Sequence, residues 1–238
     1  MTINWINHST VELIDSNASD DMVAKAAWVS FDADKEERLA DIEGVGKLIN
    51  FLWKNRHTSP FEHGIFTFKV KTPIFVAREF HRHRAASYNE MSGRYVEMTG
   101  EFYIPPRERP LVQKGKPGHY RFVEGSNEQY ALMRTHMEAV CNKAWKSYND
   151  MLDFGIAKEV ARDILPLNTV TQFYASMNPR NLMHFLGLRA EENALWEIRE
   201  VAHGNADLAV NLDEIANGME RHLAELMPLT YEAFERNK

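Results

Sequence analysis

Apolar residues recur along the chain with two periods. From Gly64 to Pro73, "GIFTFKVKTP" alternates Ile65, Thr67 and Lys69 with Phe66, Phe68 and Val70, and its aromatic and β-branched content predicts a strand. "TVELIDSNAS", from Thr10, predicts an opening strand and turn, and "NTVTQFYASM", from Asn168, is equally β-rich. Elsewhere the period is helical. "SDDMVAKAAWVSF" sets a capping serine or aspartate ahead of a helix. "DKEERLADIEGVGKLINFLWKN" brings Leu39, Ile42, Val45, Leu48, Ile49 and Leu52 to helical spacings and predicts one longer helix. "PIFVAREFHRHR" opens on proline, a residue suited to a helix's first position. "SNEQYALMRTHMEAVCNKAWKSYNDMLDFG" predicts an amphipathic helix ending at a glycine, and "AKEVARDILP" a short helix closed by proline. "NPRNLMHFLGLRA" returns to helix, and "NALWEIREVAHGNADLAVNLDEIANGMERHLAELMP" is a long helical region with a break near Gly204. "YIPPRERPLVQKGKPGHY" is rich in Pro, Gly and Lys/Arg; it predicts a mobile basic loop over about residues 105–124.

Helices and antiparallel-looking strands mix here without regular βαβ alternation. The expected class is α+β: one domain over residues 1–238, with a mixed or antiparallel sheet flanked by helices and a long C-terminal helical region. With 238 residues, 44% of them hydrophobic and 26% charged, the chain can bury a substantial core. A net charge of −6 argues against a surface that grips nucleic acid throughout, though a local basic pocket stays open. The single cysteine, Cys141, excludes an internal disulfide and a Cys-rich zinc module, and fits a reducing compartment. The opening "MTINWINHSTVELIDSNASDD" has no basic start before an apolar run, and no stretch reaches the ~18 apolar residues of a membrane span. A cytoplasmic protein without a membrane partner is expected.

Candidate chemistry concentrates in "RHRAASYNEMSGRY", Arg82 to Tyr95. With Arg78, the residues Arg82, Arg84 and Arg94 put four arginines within seventeen positions. The guanidinium fork matches phosphate oxygens and stays charged. Ser87, Asn89 and Ser92 add short polar groups suited to a loop, and Gly93 lets backbone approach a ligand closely. Such a segment suits an anion with sugar and base edges attached, and a nucleotide fits. A second cluster, "NPRNLMHFLGLRAEEN", threads Arg180, Asn181, His184 and Arg189 through an apolar helix. A histidine flanked by Met183 and Phe185 more often packs in a core than binds a ligand. A third stretch, "HTSPFEH", holds His57 and His63, but there is no HExxH and no cysteine pair beside it, so no metal site is expected. "GVGK" lacks the upstream glycine of a phosphate-binding loop and belongs to helix or turn.

"RHRAASYNEMSGRY" resembles the signature of the flavin-dependent thymidylate synthases, in which RHR precedes a serine by seven or eight residues. The resemblance continues in order through "HTSPFEH", "TPIFVAREF", "YVEMTGEFYIP", "VARDILPLN", "NPRNLMHFLGLRA" and "ALWEIRE", and covers roughly residues 20 to 200. It implies reductive methylation of dUMP to dTMP, with methylenetetrahydrofolate as carbon donor, NADPH as reductant and FAD as hydride carrier. It also implies an α+β homotetramer with active sites between subunits. By position, the resemblance assigns Glu79, Phe80, His81, Arg82, Glu90, Met91, Ser92, Gly93, Arg94, Arg162 and Arg189 to dUMP, with Arg189 catalytic at the uracil edge. It assigns Ser30, Ser59, Arg82, His83, Arg84, Glu90, Asn178, Pro179, Arg180 and His184 to FAD, and His57 to the folate side. Glu79 departs from the glutamine that family members often carry. A carboxylate there repels phosphate unless it pairs with an arginine such as Arg82, three residues on.

Cys141 does not match the nucleophile of the cysteine-dependent thymidylate synthases. It sits in "MEAVCNKAW", a helical pattern with Met137, Val140 and Ala144, and is expected to be packing. Ser92 is a nucleophile by type, but no general base accompanies it, so a binding role is preferred. Two other classes stay open on residues alone. A nucleotide or nucleic-acid binding module without catalysis could use the Arg82–Arg94 and Arg107–Arg121 segments, although the family assignment implies no nucleic-acid partner. A metal hydrolase, the weaker idea, would draw on His57, His63, His81 and His83.

Overall fold

The computed structural model describes residues 2–30, 36–116, 119–190, 194–204 and 218–238. Its strands are Asn4–Ile6 (β1), Thr10–Ser16 (β2), Phe66–Pro73 (β3), Ser87–Glu90 (β4), Glu101–Tyr103 (β5), Val112–Lys116 (β6), His119–Val123 (β7) and Val170–Met177 (β8). Its helices are Asp20–Trp28 (α1), Ile42–Lys54 (α2), Ile74–Phe80 (α3), Asn127–Asp153 (α4), Lys158–Ala161 (α5), Pro179–Arg189 (α6), Trp196–His203 (α7), Met219–Leu226 (α8) and Pro228–Arg236 (α9). One sheet has the strand order β2-β3-β8-β4. β1 pairs in parallel with β5, Trp5 opposite Phe102, and β6 pairs antiparallel with β7. Helices and mixed sheets without βαβ alternation make the fold α+β.

Local chemistry sets most element boundaries. Phe66, Phe68 and Val70 are fully buried on one face of β3, as their alternation requires. The Ser19 hydroxyl accepts from the Met22 N–H at 3.1 Å and caps α1. Ser126 and Gln129 form a reciprocal capping box at the start of α4, and Gly155 takes a left-handed φ of 82° after its end. The Asn178 side chain caps α6, with Pro179 in the first turn.

Three expectations are corrected. The single helix expected across residues 34–55 is divided: a 3-10 segment, Glu36–Ala40, precedes α2, because the Asp41 side chain accepts from Gly44 N–H at 2.9 Å and opens a new helix. Residues 34 and 35 lie outside the described residues. The expected basic loop contains the β6–β7 hairpin. Pro105, Pro106 and Pro110 precede the hairpin, Gly115 lies within β6 opposite Tyr120 at φ 104°, and positions 117 and 118 lie outside the described residues, while Val112, Tyr120, Phe122 and Val123 are strand formers. The C-terminal helical region comprises α7, α8 and α9. Gly204, at φ 86°, ends α7, and residues 205–217 of that expectation lie outside the described residues.

The chain gathers into two compact units. The first holds Met1–Ser9, Lys71–Arg82 and Glu90–Phe173; the second holds Thr10–Val70, His83–Asn89 and Tyr174–Lys238. In the first, Phe102, Cys141, Trp145, Tyr148 and Ala161 form a buried cluster around α4. Trp145 stacks on Tyr148 with ring centroids 5.2 Å apart, and the Met98 N–H donates to the Tyr148 hydroxyl at 3.0 Å. Asn168 donates its amide to the Cys141 sulfur at 3.3 Å and to the Tyr103 carbonyl at 2.8 Å. Burial pushes the Cys141 thiol pKa up, and the hydrogen bond from Asn168 offsets part of that rise. Gly100 holds a φ of 70°, and a Cβ there would lie 2.7 Å from the Trp145 ring. Gly100→Ala is therefore expected to lower the unfolding free energy by about 2–4 kcal/mol, from left-handed strain and overpacking together, read as a lower urea midpoint.

In the second unit, α2 ends in a left-handed residue, Arg56, at φ 59°. The His57 N–H donates to the Leu52 carbonyl at 2.9 Å and Arg56 N–H to Trp53 at 3.0 Å, closing the helix without glycine. Trp53 packs edge-on against Phe61 at 5.6 Å and Phe234 at 6.0 Å. Asp20, nearly buried at the start of α1, accepts from the Leu229 N–H at 2.8 Å, the Thr230 N–H at 2.9 Å and the Thr230 hydroxyl at 2.6 Å. It thus caps α9 from across more than two hundred residues of sequence.

Candidate active site

The two units divide the expected residues by ligand. Those assigned to dUMP fall in the first unit, apart from Arg189; those assigned to FAD fall in the second, apart from Arg82 and Glu90. His57 belongs to the second.

In the first unit, the turn after β4 folds over the start of a 3-10 segment, Arg162–Ile164. Met91 N–H donates to the Gln172 carbonyl at 2.9 Å, and the N–H groups of Tyr95 and Val96 donate to the Ser92 carbonyl at 3.0 and 3.1 Å. This turn, α3 and β8 enclose a cavity of about 330 Å³ lined by Glu90, Met91, Ser92, Gly93 and Arg162 together with Ile74, Met98, Leu165 and Thr171. The volume is at the low end of ligand sites, about 300–1,000 Å³. Gly93 lies close to its neighbours: a Cβ there would stand 3.0 Å from the Met98 sulfur and 3.1 Å from Arg162 Cδ, so those flexible side chains would have to give by a few tenths of an ångström. Glu90 Oε1 accepts from the Thr171 hydroxyl at 2.5 Å, and Glu90 Oε2 lies 3.9 Å from His81 Nε2.

Five of the expected dUMP residues thus share one cavity. Arg94 does not line it; half-exposed, it pairs with Glu159 at 3.3 Å. Phe80 is fully buried against Phe173, ring centroids 5.2 Å apart, so its side chain serves the core. Arg82 Nη1 meets Glu79 Oε1 at 3.3 Å, the pairing that a carboxylate at position 79 needs if an anion is to bind nearby. Ile74, Met98, Leu165 and Thr171 carried no signal in the sequence; each is an ordinary helix, loop or strand residue until the cavity is seen.

In the second unit, the histidine of RHR meets α6. Arg189 Nε donates to His83 Nε2 at 2.9 Å, so that nitrogen carries no proton in this contact. The His83 ring sits edge-on to Phe185 at 4.9 Å and to His184 at 6.1 Å. Tyr88, whose pKa burial pushes up to about 12, keeps its proton and donates to the His83 carbonyl at 3.0 Å. Asn181 donates to the Ala85 carbonyl at 2.9 Å, tying the motif's backbone to α6. Asn178 and buried Pro179 begin that helix, and Arg180 is ion-paired with Glu62. His184 is exposed on α6, not packed in the core as its apolar neighbours suggested. Arg84, Ser30 and Ser59 are exposed, and exposed His57 stands edge-on to Phe51 at 5.9 Å.

A flavin dinucleotide fits the second unit's donor set. Arg84, Arg180 and the α6 N-terminus offer partners for a diphosphate, and the His83 and His184 rings offer faces and edges for flat groups. Among the described residues, no three His, Cys, Asp or Glu side chains gather as a metal-binding group. No described helix is long and apolar enough to cross a membrane.

The family model described as "Thymidylate synthase complementing protein" matches residues 12–212. A protein named flavin-dependent thymidylate synthase from Streptomyces avermitilis is 45% identical over 231 residues, spanning 96% of this chain and 91% of that protein. Its namesake from Thermotoga neapolitana is 42% identical over 234 residues, spanning 98% and 94%. Among solved structures, the UMP/dUMP methylase PolB from Streptomyces cacaoi, bound with 5-Br UMP, superimposes with a TM-score of 0.84 at 40% identity and covers 98% of this chain and 96% of that one.

Proposed function

The chain belongs to the family of the thymidylate synthase complementing protein, that of the flavin-dependent thymidylate synthases, and on that premise we propose that it converts dUMP to dTMP by reductive methylation. FAD is its cofactor, methylenetetrahydrofolate its carbon donor and NADPH its reductant. The observation that carries this reading is the single cavity uniting Glu90, Met91, Ser92, Gly93 and Arg162 in a chain with that ancestry. A binding module without catalysis is not favoured, since the similar proteins are enzymes by name.

The dUMP phosphate lies against Arg162 and the Ser92–Gly93 backbone, where the absence of a Cβ lets it approach. Arg94 joins this clamp by leaving Glu159, an exchange between exposed partners that costs little. Glu79, Phe80, His81, Arg82 and Met91 complete the nucleotide side, Phe80 by shape from within the core. Arg189 stabilises negative charge developing on the uracil ring, which favours ionisation at N3 and makes C5 the better nucleophile. Ser30, Ser59, Arg82, His83, Arg84, Glu90, Asn178, Pro179, Arg180 and His184 hold FAD, and His57 stacks on the folate side. The bound flavin supplies hydride; the protein's own residues position flat reactants and exclude water.

The chain works in the cytoplasm as a homotetramer whose sites lie between subunits. Exposed apolar side chains such as Leu132, Val140, Phe154 and Val160 support such self-association, and light scattering of the purified protein tests it.

The function is tested with FAD-loaded protein. dUMP is expected to perturb the flavin's visible bands, and dTMP to form when methylenetetrahydrofolate and NADPH are added. A folded, FAD-reconstituted sample that makes no dTMP under reducing conditions overturns the assignment.

A further inference from the structure

Glu90 is held by a side chain that no motif marks. Thr171 lies on β8, beside β4 in the sheet, and is only 3% exposed. Its hydroxyl reaches Glu90 Oε1 at 2.5 Å. An ionised carboxylate only accepts, so the shared proton is the threonine's. The next residue of β8 fixes the backbone as well: the Gln172 carbonyl accepts the Met91 N–H at 2.9 Å. One strand therefore pins both the Glu90 side chain and the peptide that follows it. The other carboxylate oxygen is less constrained. Oε2 stands 3.9 Å from His81 Nε2, beyond hydrogen-bonding distance, on a side chain one-third exposed. Thr171 and Glu90 both line the cavity.

We propose that Thr171 is a positioning residue for dUMP binding, acting through Glu90: it fixes one carboxylate oxygen so that the other is presented to the nucleotide. The proposal rests on the functional reading above. A carboxylate on a side chain with three torsions samples many orientations, and one strong hydrogen bond from a buried, β-branched residue removes most of them before the ligand arrives. Thr171 is confined by β8 and by its own branching, so little further freedom is lost when the bond forms. A valine at 171 keeps the shape and the strand propensity and removes only the donor.

The test is a double-mutant cycle on FAD-loaded protein, read as the dUMP dissociation constant from the flavin spectrum and as kcat and KM for dTMP formation. Thr171→Val is expected to weaken dUMP binding about ten-fold or more, the size of a lost hydrogen bond to a charged acceptor. The urea midpoint is expected to stay close to wild type, and FAD loading, to which Glu90 is only one of ten assigned residues, to change less than dUMP binding. Thr171→Ser, which keeps the donor, is expected to bind dUMP within about two-fold of wild type. In a Glu90→Ala background, Thr171→Val is expected to add almost nothing, because alanine at position 90 leaves the Thr171 hydroxyl no acceptor and both changes cut the same link. Wild-type binding by Thr171→Val, a serine variant no better than valine, or additive losses in the Glu90→Ala background each overturn the role. If Thr171→Val does not fold, Thr171→Ala carries the same cycle. Failure of the wild-type protein to bind FAD or dUMP appears before any variant is made, and refutes the functional reading together with this role.

Discussion

Arg189→Ala is expected to slow dTMP formation by about 10²–10³-fold, the typical loss when one preorganised donor aimed at developing charge is removed. Two features put the weight on this residue. It closes α6, and its Nε is already engaged by His83 at 2.9 Å, so the guanidinium is oriented before any ligand binds. The same contact requires an unprotonated His83 Nε2; an imidazolium has no lone pair to offer. Arg189→Lys is expected to recover little, because an ammonium cannot hold His83 and present a second planar donor edge together. FAD loading should change less than turnover, since Arg189 is not among the residues assigned to the flavin. The decisive readout is single-turnover dTMP formation at saturating dUMP; a rate within about three-fold of wild type removes Arg189 from the chemistry.

Asp20→Ala is expected to lower the unfolding free energy by about 2–4 kcal/mol, seen as a lower urea midpoint with little change in slope. The variant leaves the Leu229 N–H, the Thr230 N–H and the Thr230 hydroxyl without their acceptor, and Thr230 is fully buried. Asp20→Asn keeps one acceptor oxygen and is expected to lose less. The effect depends on pH. Burial, the largest influence, holds the Asp20 carboxyl above its ordinary value of 3.8 despite the donors from Thr230 and Leu229 that oppose the rise. The folded chain therefore keeps this proton to higher pH than the unfolded chain. Its contribution is fully present below the unfolded pKa and declines as pH rises through the raised folded one. The gap between wild type and Asp20→Ala is thus expected to be wider at pH 3.5 than at pH 7. An equal gap at both refutes the raised carboxyl.

Features decided by neighbours in sequence were legible before the fold. Ser19, Ser126 with Gln129, and Asn178 cap helices through residues three positions away, and β3 announces itself by alternation. Features decided at a distance were not. β1, β4 and β5 are three or four residues long and owe their existence to partners far along the chain, as Asn4 opposite Glu101 shows. Asp41 divided an expected helix because a capping aspartate and a helical-surface aspartate look alike until the bond to Gly44 is seen. The site follows the same rule. The density of arginine, serine and glycine between Arg82 and Arg94 drew notice from composition alone, and Arg82 paired with Glu79 three residues away as helical spacing suggested. Thr171, eighty-one positions from Glu90, could be found only once the strands had brought the two together.

The Cys141 thiol, described above as packing, bears on chemical endurance. It is the only sulfhydryl in the chain, it is buried, and its thiolate is disfavoured. Alkylating reagents, peroxides and disulfide-bearing small molecules all react through exposed thiolate, so the native protein offers them no sulfhydryl target. A synthase that instead depended on an activated cysteine would be silenced by the same agents. The native chain thus presents no reactive sulfhydryl of its own, and a single cysteine introduced on its surface would be the sole point of attachment for a maleimide dye.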